Sequence, residues 1–143
     1  MIYTSKIPLP VKEEKKDYVF LAGSIDLKLK GDWRSELINI VGDKVHFIDP
    51  TISNHDELDD IQMKKHINWE LDALNLADKV FLNLLPDSKS PISLIELGMY
   101  VRTSKLIVVC PEAFYQSRYI KTLCEKYNVP LFDSLNSAVN SLI

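Results

Sequence analysis

Five short apolar runs recur along the chain: Tyr18 to Ala22, Lys44 to Asp49, Val80 to Leu85, Leu106 to Cys110 and Val129 to Phe132. Several are unbroken over four residues or more, as in strands that a parallel sheet buries on both faces. The segments between and after them show helical spacing and predict helices over about Asp32 to Val41, Ile61 to Leu76, Pro91 to Thr103, a start within Pro111 to Tyr115 through to Tyr127, and Ser134 to Leu142. Asp32 and Ser134 stand where N-caps belong, and Gly42 follows the first helix where a glycine ends one. In the first helix Trp33, Leu37, Ile40 and Val41 form the expected inward face. In the second, Ile61, His66, Trp69, Ala73 and Leu76 lie roughly along one stripe, with Glu70 on a neighbouring face. Strands alternating with helices predict an α/β fold: a five-stranded parallel sheet, helices on both faces and right-handed crossovers, in strand order 2-1-3-4-5. That order puts the switch point between the first and third strands. Gly23-Ser24 and the turn Pro86 to Ser90 then face one crevice, where open α/β sheets bind ligands.

The helix from Pro91 is apolar almost all round, through Ile92, Leu94, Ile95, Leu97, Met99 and Val101, and reads as buried. It carries one carboxylate, Glu96. An ionised carboxylate loses several kcal/mol, in order of magnitude, on burial without a partner. Two explanations fit: a cleft carboxylate with a chemical task, or an ion pair with Lys89, Arg102 or Lys105. The preceding turn, Pro86-Asp87-Ser88-Lys89-Ser90, places hydroxyls at a helix N-terminus, which suits an anion such as phosphate.

At 143 residues the chain suits one domain, residues 18–143, preceded by an extended arm from Met1 to Asp17 that reads as a solvated lead-in. A net charge of −3 argues against a general nucleic-acid surface. Cys110 and Cys124 form neither a disulfide framework nor a zinc spacing, and a reducing cytoplasm fits. The start lacks a signal-peptide core, and no apolar run approaches the ~20 residues of a membrane helix. There is no GxGxxG, no phosphate-loop motif and no GxSxG elbow. His46, His55 and His66 lack metal-ligand spacing and read as structural or exposed. The acids Asp56, Glu57, Asp59 and Asp60 read as helix-start residues, where the helix dipole favours negative charge. What remains is Glu96, able to attack an anomeric carbon as retaining glycosyl transfer requires, and a set at or beyond the strand ends: Gly23, Ser24, Asp49, Ser88 and Ser90, expected to bind substrate.

FLAGSI (Phe20 to Ile25), NWELDALNLAD (Asn68 to Asp78) and PDSKSPISLIELGMY (Pro86 to Tyr100) resemble the nucleoside 2-deoxyribosyltransferase-like family, in matching order and spacing from Tyr18 onward. The resemblance implies a flavodoxin-like fold and cleavage of the N-glycosidic bond of deoxynucleosides or deoxynucleotides, the sugar passing to another base or to water. It implies Glu96 as nucleophile and Glu70, where the family usually has Asp, as the acid that handles the base or its proton. Ser90 falls where the transferases carry an acid that binds the sugar hydroxyl and the related nucleoside-monophosphate hydrolases carry a phosphate-binding Ser; Ser24 matches another Ser of those hydrolases. A tyrosine late in the first strand of many relatives is replaced here by Val19 and Phe20, with Tyr18 one or two residues early. No metal or organic cofactor is implied. The expected partners are a small nucleotide or nucleoside and further copies of the chain in a homodimer or higher homo-oligomer, with sites near the interface as in relatives. A non-catalytic nucleotide-binding sensor and an NAD-cleaving glycohydrolase are the alternatives.

Overall fold

The apolar runs assemble into a sheet of six parallel strands in a computed structural model that describes residues 1–25 and 32–143. The expected loop from Ile25 to Gly31 lies outside the described residues except for Ile25. The strands are β1 (Ile2–Tyr3), β2 (Tyr18–Gly23), β3 (His46–Ile48), β4 (Lys79–Asn83), β5 (Leu106–Val109) and β6 (Leu131–Phe132), in the order β1-β3-β2-β4-β5-β6. The last five are the expected strands in the expected order. The sixth comes from the arm.

The arm is therefore not a solvated lead-in throughout. β3 would otherwise end the sheet with unpaired backbone groups; Ile2 and Tyr3 pair with its Phe47 and Ile48 instead. Tyr3 and Leu9 pack against the core. The mixed-charge run finds partners: Lys12 Nζ lies 2.5 Å from Asp78 Oδ1, and Glu13 lies 2.5 Å from His46 Nε2.

The helices are α1 (Trp33–Val41), α2 (Asp60–Leu76), α3 (Pro91–Tyr100), α4 (Ser117–Lys126) and α5 (Leu135–Ala138), with short 3-10 turns at 42–44, 55–57 and 139–142. Alternation along β2 divides the core. Val19 and Leu21 point to the layer holding α1 and α5. Tyr18, Phe20 and Ala22 point to the layer holding α2, α3 and α4. Asp32 caps α1, accepting from the Arg34 N–H at 3.1 Å. Asp59 and Gln62 form a reciprocal capping box at the start of α2, so two acids of the 56–60 cluster sit at that helix start, Asp60 in its first turn.

Three expected faces are corrected. Ile40 is exposed and Arg34 takes its place on the inward face of α1; Ile61 is exposed at the start of α2. α3 buries Ser93, Glu96, Leu97 and Tyr100, while Ile92, Ile95 and Met99 face outward. A helix lying on a sheet buries one stripe only, and here that stripe includes the polar positions. No described helix is long and apolar enough to cross a membrane.

Candidate active site

β2 and β4 end side by side, Gly23 opposite Asn83, and the Ser24 N–H donates to Asn83 O at 2.9 Å. Gly23 has φ 122°, and a Cβ there would stand 2.1 Å from Asn83 O. Its conformational freedom thus serves the strand-to-strand approach. Where the chain leaves the sheet, the first two residues of α1 hold it. Trp33 Nε1 donates to Ser24 O at 2.9 Å. Arg34 donates from Nε to Leu21 O, from Nη1 to Ser24 O and from Nη2 to Gly23 O, at 3.1, 3.1 and 3.2 Å. Only 2% of Arg34 is exposed, and Asp49 Oδ1 lies 3.9 Å from its Nε.

Beyond this corner opens a cleft of about 240 Å³, walled by Gly23 and Arg34, by Glu70 of α2, and by Ser88, Ser90, Ser93 and Glu96 of the β4–α3 turn and α3. Ser90 sits in the left-handed region at φ 49°, and its side chain makes no capping bond to α3. Its hydroxyl belongs to a chain instead. The Leu85 N–H donates to Ser24 Oγ at 2.9 Å, Ser24 Oγ lies 2.6 Å from Ser90 Oγ, and Ser90 Oγ lies 2.5 Å from Ser88 Oγ. Tyr115 braces the turn, its hydroxyl donating to Lys89 O at 3.0 Å.

Two carboxyls share the cleft. Burial, then the neighbouring Glu70, push Glu96 up to about 7 against the pull of Arg34. Burial also raises Glu70, against the pull of His66. The ion-pair explanation of Glu96 falls away. Lys89 lies over the Tyr115 ring, Arg102 bonds to Tyr127, and Lys105 donates to the carbonyls of Leu74 and Asn75. Among the described residues, Glu96 has no cation within salt-bridge distance.

Of the residues singled out from sequence, Glu96, Glu70, Gly23, Ser88 and Ser90 meet in this cleft. Ser24 lies beneath it, 1% exposed, and reaches it through Ser90. Asp49 stands behind Pro50, which lines the cleft, and accepts from Thr51 N and Oγ1 at 3.0 and 2.7 Å. Arg34 and Ser93 also line the cleft, and His66 touches Glu70 there, none of them having been singled out for the site. A charged residue on the inward stripe of α1 was the available signal for Arg34, and spacing of one helical turn from Glu70 for His66. A wider hollow of about 820 Å³ at the ends of β5 and β6 gathers none of these side chains.

Residues 16–114 match the family described as nucleoside 2-deoxyribosyltransferase like. The chain belongs to that family. No curated protein matches it. The match to the nucleoside 2-deoxyribosyltransferase-like family runs from the end of the arm to Phe114, so it includes β2 to β5 and every residue of the cleft, while α4, β6 and α5 lie beyond it. Tyr18 stands at the amino end of β2, away from the cleft, with its hydroxyl accepting the Glu13 N–H at 3.1 Å.

Proposed function

We propose that this protein cleaves the N-glycosidic bond of a 2′-deoxynucleoside 5′-monophosphate or the corresponding nucleoside. Glu96 attacks C1′ as the base departs, forming a glycosyl ester. Glu70 donates a proton to the base, and water or a second base then resolves the ester. The observation that supports this reading is the buried Glu96 carboxyl beside the partly buried Glu70 in one cleft, with Glu96 raised to about 7 and, among the described residues, no cation paired to it. Two carboxyls that share a cleft resist ionising together, so the pair holds a proton near neutral pH that can be passed to the departing base. Attack needs the ionised form of Glu96, so the low-pH limb of kcat/KM rises through about 7, and a high-pH limb falls where the general acid loses its proton. Incubation with a panel of deoxynucleosides, their monophosphates, ribonucleotides and NAD, with chromatography of released base, tests the assignment. Release from no deoxynucleoside or deoxynucleotide overturns it and leaves a binding module, the reading that the remote Tyr18 favours.

The hydroxyl chain supports a preference for the 5′-phosphate. Ser90 stands before α3, whose first N–H groups and dipole favour an anion. Hydroxyls bonded in series present a proton to such a group, whereas a carboxylate there repels it. Two charge-assisted contacts of roughly 1.5 kcal/mol each give about a hundredfold tighter binding of the monophosphate than of the nucleoside. Ser90→Asp erases that preference, and because Asp tolerates the left-handed conformation the fold persists. Titration calorimetry with both ligands checks it; an unchanged ratio refutes the role of Ser90.

The protein acts as a homo-oligomer, most simply a two-fold dimer. Ile67 and Leu71 of α2 and Ile92, Ile95 and Met99 of α3 are exposed on neighbouring helices, which Tyr100 joins by donating to Asn75 Oδ1. Apolar side chains concentrated in this way mark an interface. Sedimentation at micromolar concentration shows a dimer; a monomer rules it out.

A further inference from the structure

Glu70 is not alone on its wall of the cleft. One turn earlier on α2, His66 places Nε2 3.0 Å from Glu70 Oε1. The imidazole is 7% exposed, Nε2 is sealed from solvent, and the contact lies off the direction of a hydrogen bond until the carboxyl turns toward it. The indole of Trp69 lies nearly parallel to the ring, 12° from coplanar. On its outer side His55, about half exposed, meets it edge-on at 6.0 Å between ring centres. His55, His66 and Glu70 therefore form a file from solvent to the cleft.

We propose that His66 is the positioning residue of Glu70: it holds the carboxyl and resupplies its proton as the base departs. The inference rests on the N-glycosidic cleavage proposed above. In that step the C1′–N bond breaks and its electron pair stays with the base. Glu70 passes its proton to a ring atom of the base and is left a carboxylate. His66 passes its Nε2 proton to that carboxylate while the other ring nitrogen takes one up from the solvent side past His55, so the imidazole ends with the charge it began with. Meanwhile Glu96 bonds to C1′. The groups that bear on Glu70 are His66 on its own helix, His55 from the preceding turn, Arg34 from α1 and Glu96 from α3. His66 is the one cation-forming group within salt-bridge distance of Glu70 among the described residues.

The test separates leaving groups that need a proton from one that does not. His66→Gln and the smaller His66→Asn are assayed beside the wild type on the best deoxynucleotide and on 4-nitrophenyl 2-deoxyriboside, whose phenolate departs unprotonated. The ratio of the two rates on one sample cancels any loss of folded protein. The expected result is a fall of at least about tenfold in base release with nitrophenolate release kept within about twofold, in line with the share of general acids in catalysis. The falling high-pH limb of base release also moves to lower pH in both variants, because the remaining proton then rests on Glu70 alone. Equal slowing of both substrates, or of neither, overturns the role of His66. A wild type inert toward both overturns the glycosidic cleavage itself, and the role of His66 with it.

Discussion

Glu96→Ala lowers base release by at least about 10³-fold, because it removes the proposed nucleophile and leaves Glu70 as the one carboxyl lining the cleft among the described residues. The fold survives, and at neutral pH and above it gains. The Glu96 carboxyl has an ordinary value of 4.5 and is pushed to about 7 in the folded chain by burial and by Glu70. The folded state thus holds this proton more tightly than the unfolded state. The cost is absent below about pH 4.5, grows as pH rises, and is complete above about 7, where it reaches at most about 3 kcal/mol. Glu96→Gln keeps the shape and removes the charge, so its melting temperature exceeds that of the wild type by several degrees at pH 8 and equals it near pH 4. Base-release kinetics and thermal unfolding at the two pH values check both halves. Turnover like that of the wild type refutes the nucleophile; a large loss of stability at pH 8 instead marks Glu96 as a structural group.

The largest effect on stability belongs to Gly23→Ala, at about 4 kcal/mol or more. The added Cβ would stand 2.1 Å from Asn83 O and 2.7 Å from Asn83 N, atoms of the central strand β4 whose own pairings prevent retreat. The φ of 122° adds strain that an L side chain rarely accepts. Gly98→Ala is the contrast: α3 continues through Gly98, nothing lies within 4 Å of the new Cβ, and the change stabilises by about 0.5–1 kcal/mol. Urea unfolding of the two variants measures the difference. A Gly23→Ala protein that is fully stable yet fails to bind nucleotide would refute this packing role and leave Gly23 only the ligand-contact role read from the sequence.

The strands were legible because a central parallel strand is buried on both faces, so the record of its environment is the local run itself, as in Val80 to Leu84. Caps were legible for the same reason: Asp32 and Asp59 bond to backbone two and three residues away. Glu96 was legible as a carboxylate in an apolar helix, and alternation with helices carried the strand order. The arm was misread because its partners, His46 and Asp78, are distant in sequence. α3 was misread because an apolar helix does not reveal which of its sides meets the sheet; contact with β2 and β4 settles that Ser93 and Glu96 go in and Ile92, Ile95 and Met99 stay out. Gly23 and Ser24 were legible by their place at a strand end; that one makes room for Asn83 and the other supports Ser90 follows from segments distant in sequence. Arg34 is the clearest case. By sequence it is one cation among seventeen Lys and Arg residues. Only when β2 ends beside the start of α1 do three carbonyls converge on its guanidinium and make its burial tolerable. A chain shows which residues a single element can bury; which polar groups are buried together depends on contacts that form only when separate elements meet.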